Sequence, residues 1–153
     1  MDILNYIRNN YANSTSPDCS EQNCKLKLDR LKNYVVLKGE KLEQKSKICD
    51  CIIFAMEEQL IVGMVELKSR TIHVRELVEK LTNGTKIAFY ILNKCNYTQK
   101  QFEFYHLVLA KHRHRADHNK LTRKEKVKIR GKEYKILSKK CGESFSTIIK
   151  QLQ

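Results

Sequence analysis

Three charged residues stand near the ends of apolar runs, and their types suit hydrolytic chemistry. Glu66 and Lys68 close the run LIVGMVELK, and Asp50 interrupts the β-branched run ICDCIIF. A three-residue turn centred on Glu58 would place Asp50 opposite Glu66 on neighbouring antiparallel strands. Opposite residues point to the same side of a sheet, and Lys68 joins them because side chains alternate along a strand. The sequence therefore predicts one cluster of Asp50, Glu66 and Lys68, whereas a two-residue turn would turn Asp50 to the other face.

Two carboxylates brought this close repel each other unless a cation stabilises them. A divalent cation such as Mg²⁺ is held by one or two carboxylates together with water and phosphate oxygens. A lysine beside such a cation can orient or deprotonate an attacking water, or stabilise charge that builds on a phosphate. The cluster therefore predicts metal-dependent hydrolysis of a phosphodiester, with Asp50, Glu66 and Lys68 as catalytic residues and the two acids as metal ligands.

The elements that must position this cluster follow from the spacing of apolar residues. Strands are predicted over 34–37, 48–54 and 60–68, and their short links favour an antiparallel meander. Helical spacing then runs over 71–95, and the near-continuous apolar run at 102–110 is typical of a strand buried on both faces. A helix of this length can cross over to a strand that lies parallel in the same sheet.

The flanking segments complete a single domain over residues 1–153. Residues 1–20 predict a short helix, LNYIRNNY, within a loosely ordered segment. A further helix is predicted over 21–32, a hairpin or bent strand pair over 126–137, and a closing helix over 144–152. The Asn-Gly pair at 83–84 is expected to weaken or kink the long helix. The fold class predicted is therefore α/β (α+β) with a mixed sheet.

An acid on one strand, a hairpin, Glu66-Leu67-Lys68 at the end of the next strand and then a helix form a recognisable series. The series resembles the PD-(D/E)xK, or restriction-endonuclease-like, nuclease superfamily over about residues 20–112. The resemblance implies an αβββαβ core over 21–112, followed by a basic β extension and closing helix over 113–153. It also implies a Mg²⁺- or Mn²⁺-dependent endonuclease that hydrolyses phosphodiesters, and a homodimer.

The sequence departs from the superfamily pattern in two places. Cys49 stands before Asp50 where that pattern commonly has proline. Some members carry an extra acid ahead of the hairpin, and three glutamates could fill that role. Glu40 is preferred as this third metal ligand because it lies near the end of the first predicted strand, and Glu21 and Glu43 are the alternatives.

A basic segment over residues 111–140 indicates a polyanionic partner. It holds 13 lysines and arginines against three acids, so it carries +10 of the net charge of +13. Such a concentration of charge on a folded domain is typical of nucleic-acid binding. We expect DNA, including structured or junction DNA, more than RNA. The residues predicted to bind nucleic acid are Arg70, Lys111, Arg113, Arg115, Arg123 and Lys124.

Other interpretations stay open at this point. The chain could bind nucleic acid without catalysis, as a degenerate nuclease, or it could be a regulatory or toxin-like protein that binds a nucleotide or protein ligand. Glu66 and Lys68 could also be a solvated strand end with a weak ion pair. Histidines at 112, 114 and 118 could bind zinc together with Cys141. The glycine and serine motifs of P-loop, Rossmann and serine-hydrolase sites are not in the sequence.

The remaining composition bears on location. No apolar run reaches the ~18 residues that span a membrane. The start, MDILNYIRNN, has no basic segment followed by an apolar core. We therefore expect a cytoplasmic protein without a membrane partner, whose six cysteines are mostly reduced and buried.

Overall fold

The computed structural model describes residues 2–42, 46–68, 73–112 and 115–152. The described chain is a mixed α+β structure built on a seven-stranded mixed sheet and a separate two-stranded one. Its helices are α1 (Ile3–Asn10), α2 (Val74–Lys94), α3 (Arg115–Asn119) and α4 (Phe145–Leu152). Its strands are β1 (Thr15–Ser16), β2 (Cys19–Glu21), β3 (Cys24–Leu26), β4 (Tyr34–Lys38), β5 (Cys51–Met56), β6 (Leu60–Lys68), β7 (Phe102–Ala110), β8 (Lys126–Ile129) and β9 (Lys132–Lys140).

The large sheet has the order β1-β4-β5-β6-β7-β9-β8. Strands β4, β5 and β6 pair antiparallel, which confirms the predicted meander. Helix α2 then crosses over, and β7 lies parallel to β6, as predicted. Strand β9 also runs parallel to β7, and β8 pairs antiparallel with β9. The carboxyl ends of β6, β7 and β9 therefore meet at one edge of the sheet, where ligands of open α/β sheets commonly bind.

The turn between β5 and β6 has the predicted register. Met56 pairs with Leu60, and Phe54 pairs with Val62. The last pair of the ladder, Cys51 with Val65, leaves position 50 opposite position 66. The turn length therefore brings the two predicted acids together, as the alternation of side chains requires.

Each face of the sheet carries its own apolar cluster. On one face, α1 and α2 cover Leu37, Phe54 and Met64. On the other face, the hairpin formed by β2 and β3 and helix α4 cover a second cluster. The sheet is therefore buried on both sides, and the strands at its centre read as continuous apolar runs for that reason. No helix within the described ranges is long and apolar enough to cross a membrane.

The predicted helix over 21–32 is wrong. Residues 19–26 form the hairpin of β2 and β3, joined by Gln22 and Asn23. Both turn residues have positive φ, 40° and 69°, which is the backbone twist that two-residue hairpin loops favour. Cys24 and Leu26 are buried while Lys25 between them is exposed. Buried and exposed side chains therefore alternate along this segment, as they do in a strand, although the spacing of Cys24, Leu28 and Leu31 also fits a helix.

The N-terminal segment is also more ordered than predicted. The short helix is present as α1, and Asp2 caps it by accepting a hydrogen bond from the Leu4 backbone N–H at 3.0 Å. Ile3, Leu4 and Ile7 are fully buried in the first apolar cluster. Burial of this apolar face supplies the packing energy that a loosely ordered segment would lack.

The expectation of mostly reduced cysteines is wrong as well. Cys19 is bonded to Cys51, and Cys24 is bonded to Cys141. Both disulfides tie the β2–β3 hairpin to the large sheet or to the segment that follows β9. The two free cysteines, Cys49 and Cys95, are buried.

Helix α2 passes through the Asn-Gly pair as one continuous helix. Gly84 is buried, and a Cβ atom built there would lie 2.5 Å from the Cys49 sulfur and 3.4 Å from a Met64 carbon. The Cys49 backbone N–H also donates to the Lys80 carbonyl oxygen at 3.2 Å. The glycine therefore lets α2 approach the start of β5 closely.

Replacing Gly84 with alanine should lower the free energy of unfolding by about 1–2 kcal/mol. Overpacking against Cys49 costs more than the gain of about 1 kcal/mol from better helix propensity. Urea unfolding measures the change, with Lys86→Ala on the exposed side of the same helix as the control. A more stable Gly84→Ala protein would contradict the close approach.

Candidate active site

The carboxylate of Glu66 is the centre of the predicted cluster. Glu66 is 0% exposed near the end of β6. Its Oε1 accepts a hydrogen bond from the Asp50 backbone N–H at 3.1 Å. Its Oε2 lies 3.1 Å from the Lys68 Nζ and 3.3 Å from the Lys80 Nζ. A buried charge is costly unless it is paired and hydrogen-bonded, and both conditions are met here.

Asp50 sits beside Glu66, just before β5 begins. Its Oδ2 accepts a hydrogen bond from the Leu67 backbone N–H at 2.7 Å. Its own carbonyl oxygen accepts from the Gly39 N–H at 2.9 Å. The Asp50 side chain thus extends the pairing of β5 with β6 past the last ladder pair, and this contact fixes the carboxylate next to Glu66.

Lys80 is a site residue that the sequence analysis missed. It reaches Glu66 from α2, and its Nζ also lies 3.5 Å from Glu76, one turn earlier on that helix. Glu76 in turn pairs with exposed Lys47 at 3.3 Å. Burial alone would lower the pKa of Lys80, but the neighbouring carboxylates outweigh it and raise that pKa. The i,i+4 pair of Glu76 and Lys80 was a visible signal, but such pairs are common on solvated helix faces.

The predicted third ligand, Glu40, does not contact the two acids in the described structure. Its side chain is exposed on the turn after β4, where it borders a cleft with Glu21. Glu21 lies closer to the chemistry, because its carboxylate contributes to the electrostatics of Asp50. It pairs with buried Lys38 at 2.8 Å. Of the sequence alternatives, Glu43 lies outside the described residues.

The environment of Asp50 strongly disfavours its charged form. Burial, followed by the charge of Glu66, raises the pKa of Asp50 to about 7. The hydrogen bond from Leu67 opposes this shift, and Glu21 adds a smaller increase. Both lysines pair with Glu66 rather than with Asp50. Lys80 also attracts the Asp50 carboxylate, but this attraction does not outweigh burial and the charge of Glu66.

This donor set fits a hard divalent cation in its chemistry. Both groups are carboxylates, and a cation between them would remove the repulsion that raises the pKa of Asp50. Within the described ranges, no group of three or more His, Cys, Asp or Glu side chains is arranged to hold a metal ion. Among the described residues, Asp50 and Glu66 are the adjacent pair of acids, and water or a substrate would complete the shell of a cation between them.

The basic segment begins and ends at the same edge of the sheet. The Lys111 N–H donates to the Lys68 carbonyl oxygen at 3.0 Å, and the Cys141 N–H donates to the Ala110 carbonyl oxygen at 3.3 Å. Lys111, Lys140 and Lys68 thus emerge side by side from neighbouring strands.

Most of the segment's charge is unneutralised. Among the described residues of 111–140, no lysine or arginine forms an ion pair with a described acid. The predicted nucleic-acid residues Lys111, Arg115, Arg123 and Lys124 are all exposed. Arg70 and Arg113 lie outside the described residues. The described part of the segment therefore presents cations that pair with no described acid, and it reaches the end of β6 through Lys111, whose backbone bonds to Lys68.

The zinc alternative loses its sulfur ligand. Cys141 is bonded to Cys24, so it cannot supply the thiolate that a zinc site with the histidines would need. His112 and His118 lie among the described residues, and His114 lies outside them.

Comparisons with family models, curated proteins and solved structures find no match to this chain. The chemistry of the site must therefore be argued from its own residues.

Replacing Asp50 with asparagine should stabilise the metal-free protein at pH 8 by about 1–3 kcal/mol. The carboxyl group has a higher pKa when folded than when unfolded, so its ionisation costs stability as the pH rises. That cost is complete above the folded pKa of about 7 and disappears as the pH falls to about 4. The amide keeps an acceptor for Leu67.

Urea unfolding between pH 4 and pH 8 measures the difference in the free energy of unfolding between Asp50→Asn and the wild-type protein. Asp29→Asn, at an exposed position, is the matched control. A difference that does not change with pH would show that Asp50 ionises normally in the folded protein.

Proposed function

We propose that the protein is a metal-dependent nuclease that hydrolyses phosphodiester bonds. The observation that carries this proposal is the adjacency of two carboxylates and a lysine at one edge of the sheet. Asp50 donates its backbone N–H to Glu66 at 3.1 Å, and Lys68 lies 3.1 Å from the same carboxylate. The order of meander, crossover helix and parallel strand is also the one expected for an αβββαβ restriction-endonuclease-like core.

Asp50 and Glu66 would hold Mg²⁺ or Mn²⁺ through their carboxylate oxygens. A bound divalent cation acidifies water and neutralises charge on a phosphate. The strand pairing positions both carboxylates side by side before any ligand arrives. A cation would then have to displace Lys68 or Lys80 from the Glu66 Oε2. Glu40 remains a predicted ligand, and Glu21 is the better placed of the described candidates because its charge already reaches Asp50.

Lys68 would act on the reacting phosphate or on the attacking water. Its side chain is 25% exposed, so its ammonium group can face the substrate while it pairs with Glu66. A charge held at this distance can stabilise negative charge that develops during hydrolysis. Lys80 is 18% exposed and reaches Glu66 from α2, which suits a role in positioning the Glu66 carboxylate.

The basic segment would bind the phosphate backbone of the substrate. Free cations next to the two acids would offset the repulsion between a polyanion and the carboxylates. The preference for DNA over RNA and the homodimer stay predictions.

A second candidate is a nucleic-acid-binding protein without catalysis. The observation that favours it is the pairing of Glu66 with two lysines on the same oxygen. In that account Lys80 supplies the positive charge that a metal ion would otherwise supply, and the acids serve the fold alone.

Glu66→Gln should abolish cleavage while the fold and nucleic-acid binding persist. The amide keeps the shape of the side chain and an acceptor for Asp50, but it is a poor ligand for a divalent cation. Lys68→Ala should also lose most cleavage. The assay is cleavage of plasmid, flap, junction and single-stranded RNA substrates with Mg²⁺ or Mn²⁺, and Glu103→Gln, at an exposed position near the start of β7, is the control.

Equal cleavage by wild type and Glu66→Gln would mean that the site lies elsewhere. If the wild-type protein binds these substrates but cleaves none of them, the non-catalytic candidate replaces the nuclease.

Binding should depend steeply on salt, since the basic segment displaces counterions from phosphates. Combined replacement of Lys111, Arg115 and Arg123 with alanine should weaken binding and reduce the slope of log affinity against log salt by about 0.7–0.9 per lost phosphate contact. Fluorescence anisotropy at several salt concentrations gives the slope. Replacing Lys32, Lys86 and Lys150, three exposed lysines outside the segment, is the charge-matched control. Equal slopes for both triple variants would place the binding face outside the basic segment.

A further inference from the structure

The two disulfides fasten one hairpin at the edge where the candidate site lies. Cys19 on β2 is bonded to Cys51, which directly follows Asp50, with 6.0 Å between their Cα atoms. Cys24 on β3 is bonded to Cys141, with 5.0 Å between Cα atoms. The Cys141 sulfur also lies 4.0 Å from the Lys68 carbonyl oxygen. One disulfide therefore joins the hairpin to the residue that follows Asp50, and the other joins it to a residue in contact with Lys68.

The four bonded cysteines differ in how deeply the residue is buried. Cys19, Cys24 and Cys51 are 0% exposed, whereas Cys141 is only partly buried, in a turn before Gly142. Thiol–disulfide exchange requires a thiolate to reach one sulfur of the bond. In the closed structure Cys141 is thus the bonded cysteine that an incoming thiolate can approach with the least rearrangement, whereas Cys19 and Cys51 are both fully buried.

We propose that these disulfides form a reversible redox latch, in which reduction of Cys24–Cys141 by a dithiol opens the hairpin and then exposes Cys19–Cys51. The latch is a property of the hairpin alone. Its effect on cleavage rests on the proposed function.

The exchange balances with a dithiol as the reductant. One thiolate of the dithiol attacks the Cys141 sulfur, the bond to Cys24 breaks, and Cys24 leaves as a thiolate that takes up a proton. The second thiolate of the dithiol then attacks the reductant's own sulfur in the mixed disulfide, Cys141 leaves as a thiolate that takes up a proton, and the reductant is released as a disulfide. Two electrons and two protons pass to the protein, and the same steps repeat at Cys51 and Cys19 once the hairpin has moved.

The contacts of the hairpin indicate local opening rather than unfolding. The hairpin is a separate two-stranded sheet, so within the described residues it has no strand ladder with the large sheet. Apart from the disulfides, it is held by the burial of Leu26 in the second apolar cluster, by the Glu21–Lys38 pair, and by backbone bonds such as Gly142 N–H to the Lys25 carbonyl at 2.7 Å. The apolar cluster under α1 and α2 contains no disulfide. Segments with few such contacts open at lower free energy than the core of a sheet.

Opening would change the candidate site through Glu21 and Lys38. The closed hairpin holds the Glu21 carboxylate 2.8 Å from Lys38, and the Ser20 carbonyl accepts from the same Nζ at 2.9 Å. Release of β2 would remove both partners of a buried cation and withdraw the acid whose charge reaches Asp50. The oxidised hairpin therefore keeps the charge of Glu21 beside Lys38 and within reach of Asp50, and reduction would remove that charge from the site.

The latch is tested on the full chain without metal or nucleic acid. Dithiothreitol is titrated, free thiols are trapped with N-ethylmaleimide and identified by mass spectrometry, and hydrogen exchange is followed in parallel. Cys24 and Cys141 should be trapped at lower dithiothreitol than Cys19 and Cys51. Exchange over residues 19–27 should rise by about tenfold or more, while β6 and β7 keep their protection.

The double variant Cys24→Ser with Cys141→Ser should show the faster exchange without reductant, and its Cys19–Cys51 bond should be reduced at lower dithiothreitol. Cys95→Ser, at a buried free cysteine in the other cluster, is the matched control.

Equal loss of protection in β6 and β7 would overturn the latch, because the disulfides would then stabilise the whole fold. Simultaneous trapping of both pairs, or unchanged exchange over 19–27, would overturn it too. The wild-type titration decides the question even if the double variant misfolds. A working latch in a protein that cleaves nothing would leave this inference standing while the proposed function fails.

Discussion

The structure depends on the burial of one carboxylate, that of Glu66 at the end of a central strand. A fully buried carboxylate must be paired and hydrogen-bonded, or it will take up a proton or destabilise the fold. Here the Asp50 backbone N–H, Lys68 and Lys80 meet this demand from two strands and a helix. The start of β5, the end of β6 and the position of α2 are therefore tied to the same pair of oxygens.

The close approach of α2 makes this arrangement possible. Gly84 lies one helical turn after Lys80, and its missing side chain leaves room for Cys49, the neighbour of Asp50. The Lys80 carbonyl accepts a hydrogen bond from Cys49, and its ammonium reaches Glu66 at 3.3 Å. A glycine that looked like a weakness in a long helix thus sets the distance between the helix and the acids. The cost is the raised pKa of Asp50, which burial and Glu66 impose and the attraction of Lys80 does not outweigh.

The parts of the molecule that the sequence predicts are those decided by neighbouring residues. The meander, the crossover helix and the register of β5 with β6 follow from alternation, apolar runs and the length of one turn. The hairpin at 19–26 does not follow from such patterns, because its short segments fit both the helical and the strand spacing of apolar residues. The positive φ angles of Gln22 and Asn23 form the turn that makes it a hairpin. The disulfides could not be predicted, since they join positions far apart in the chain. Cys24 and Cys141, for example, are separated by 117 residues. The contact of Lys80 with Glu66 could not be predicted either, because it depends on how α2 packs against the sheet.

We propose that the carboxylates of Asp50 and Glu66 form a cation site rather than a self-contained charge cluster. Anomalous diffraction from a crystal grown with Mn²⁺ tests it most directly, because the signal locates the ion without assumptions about activity. The account predicts an anomalous peak between the two carboxylates at neutral pH. Mn²⁺ bound elsewhere in the crystal, with no peak at this pair and both Lys68 and Lys80 still on Glu66, would contradict it.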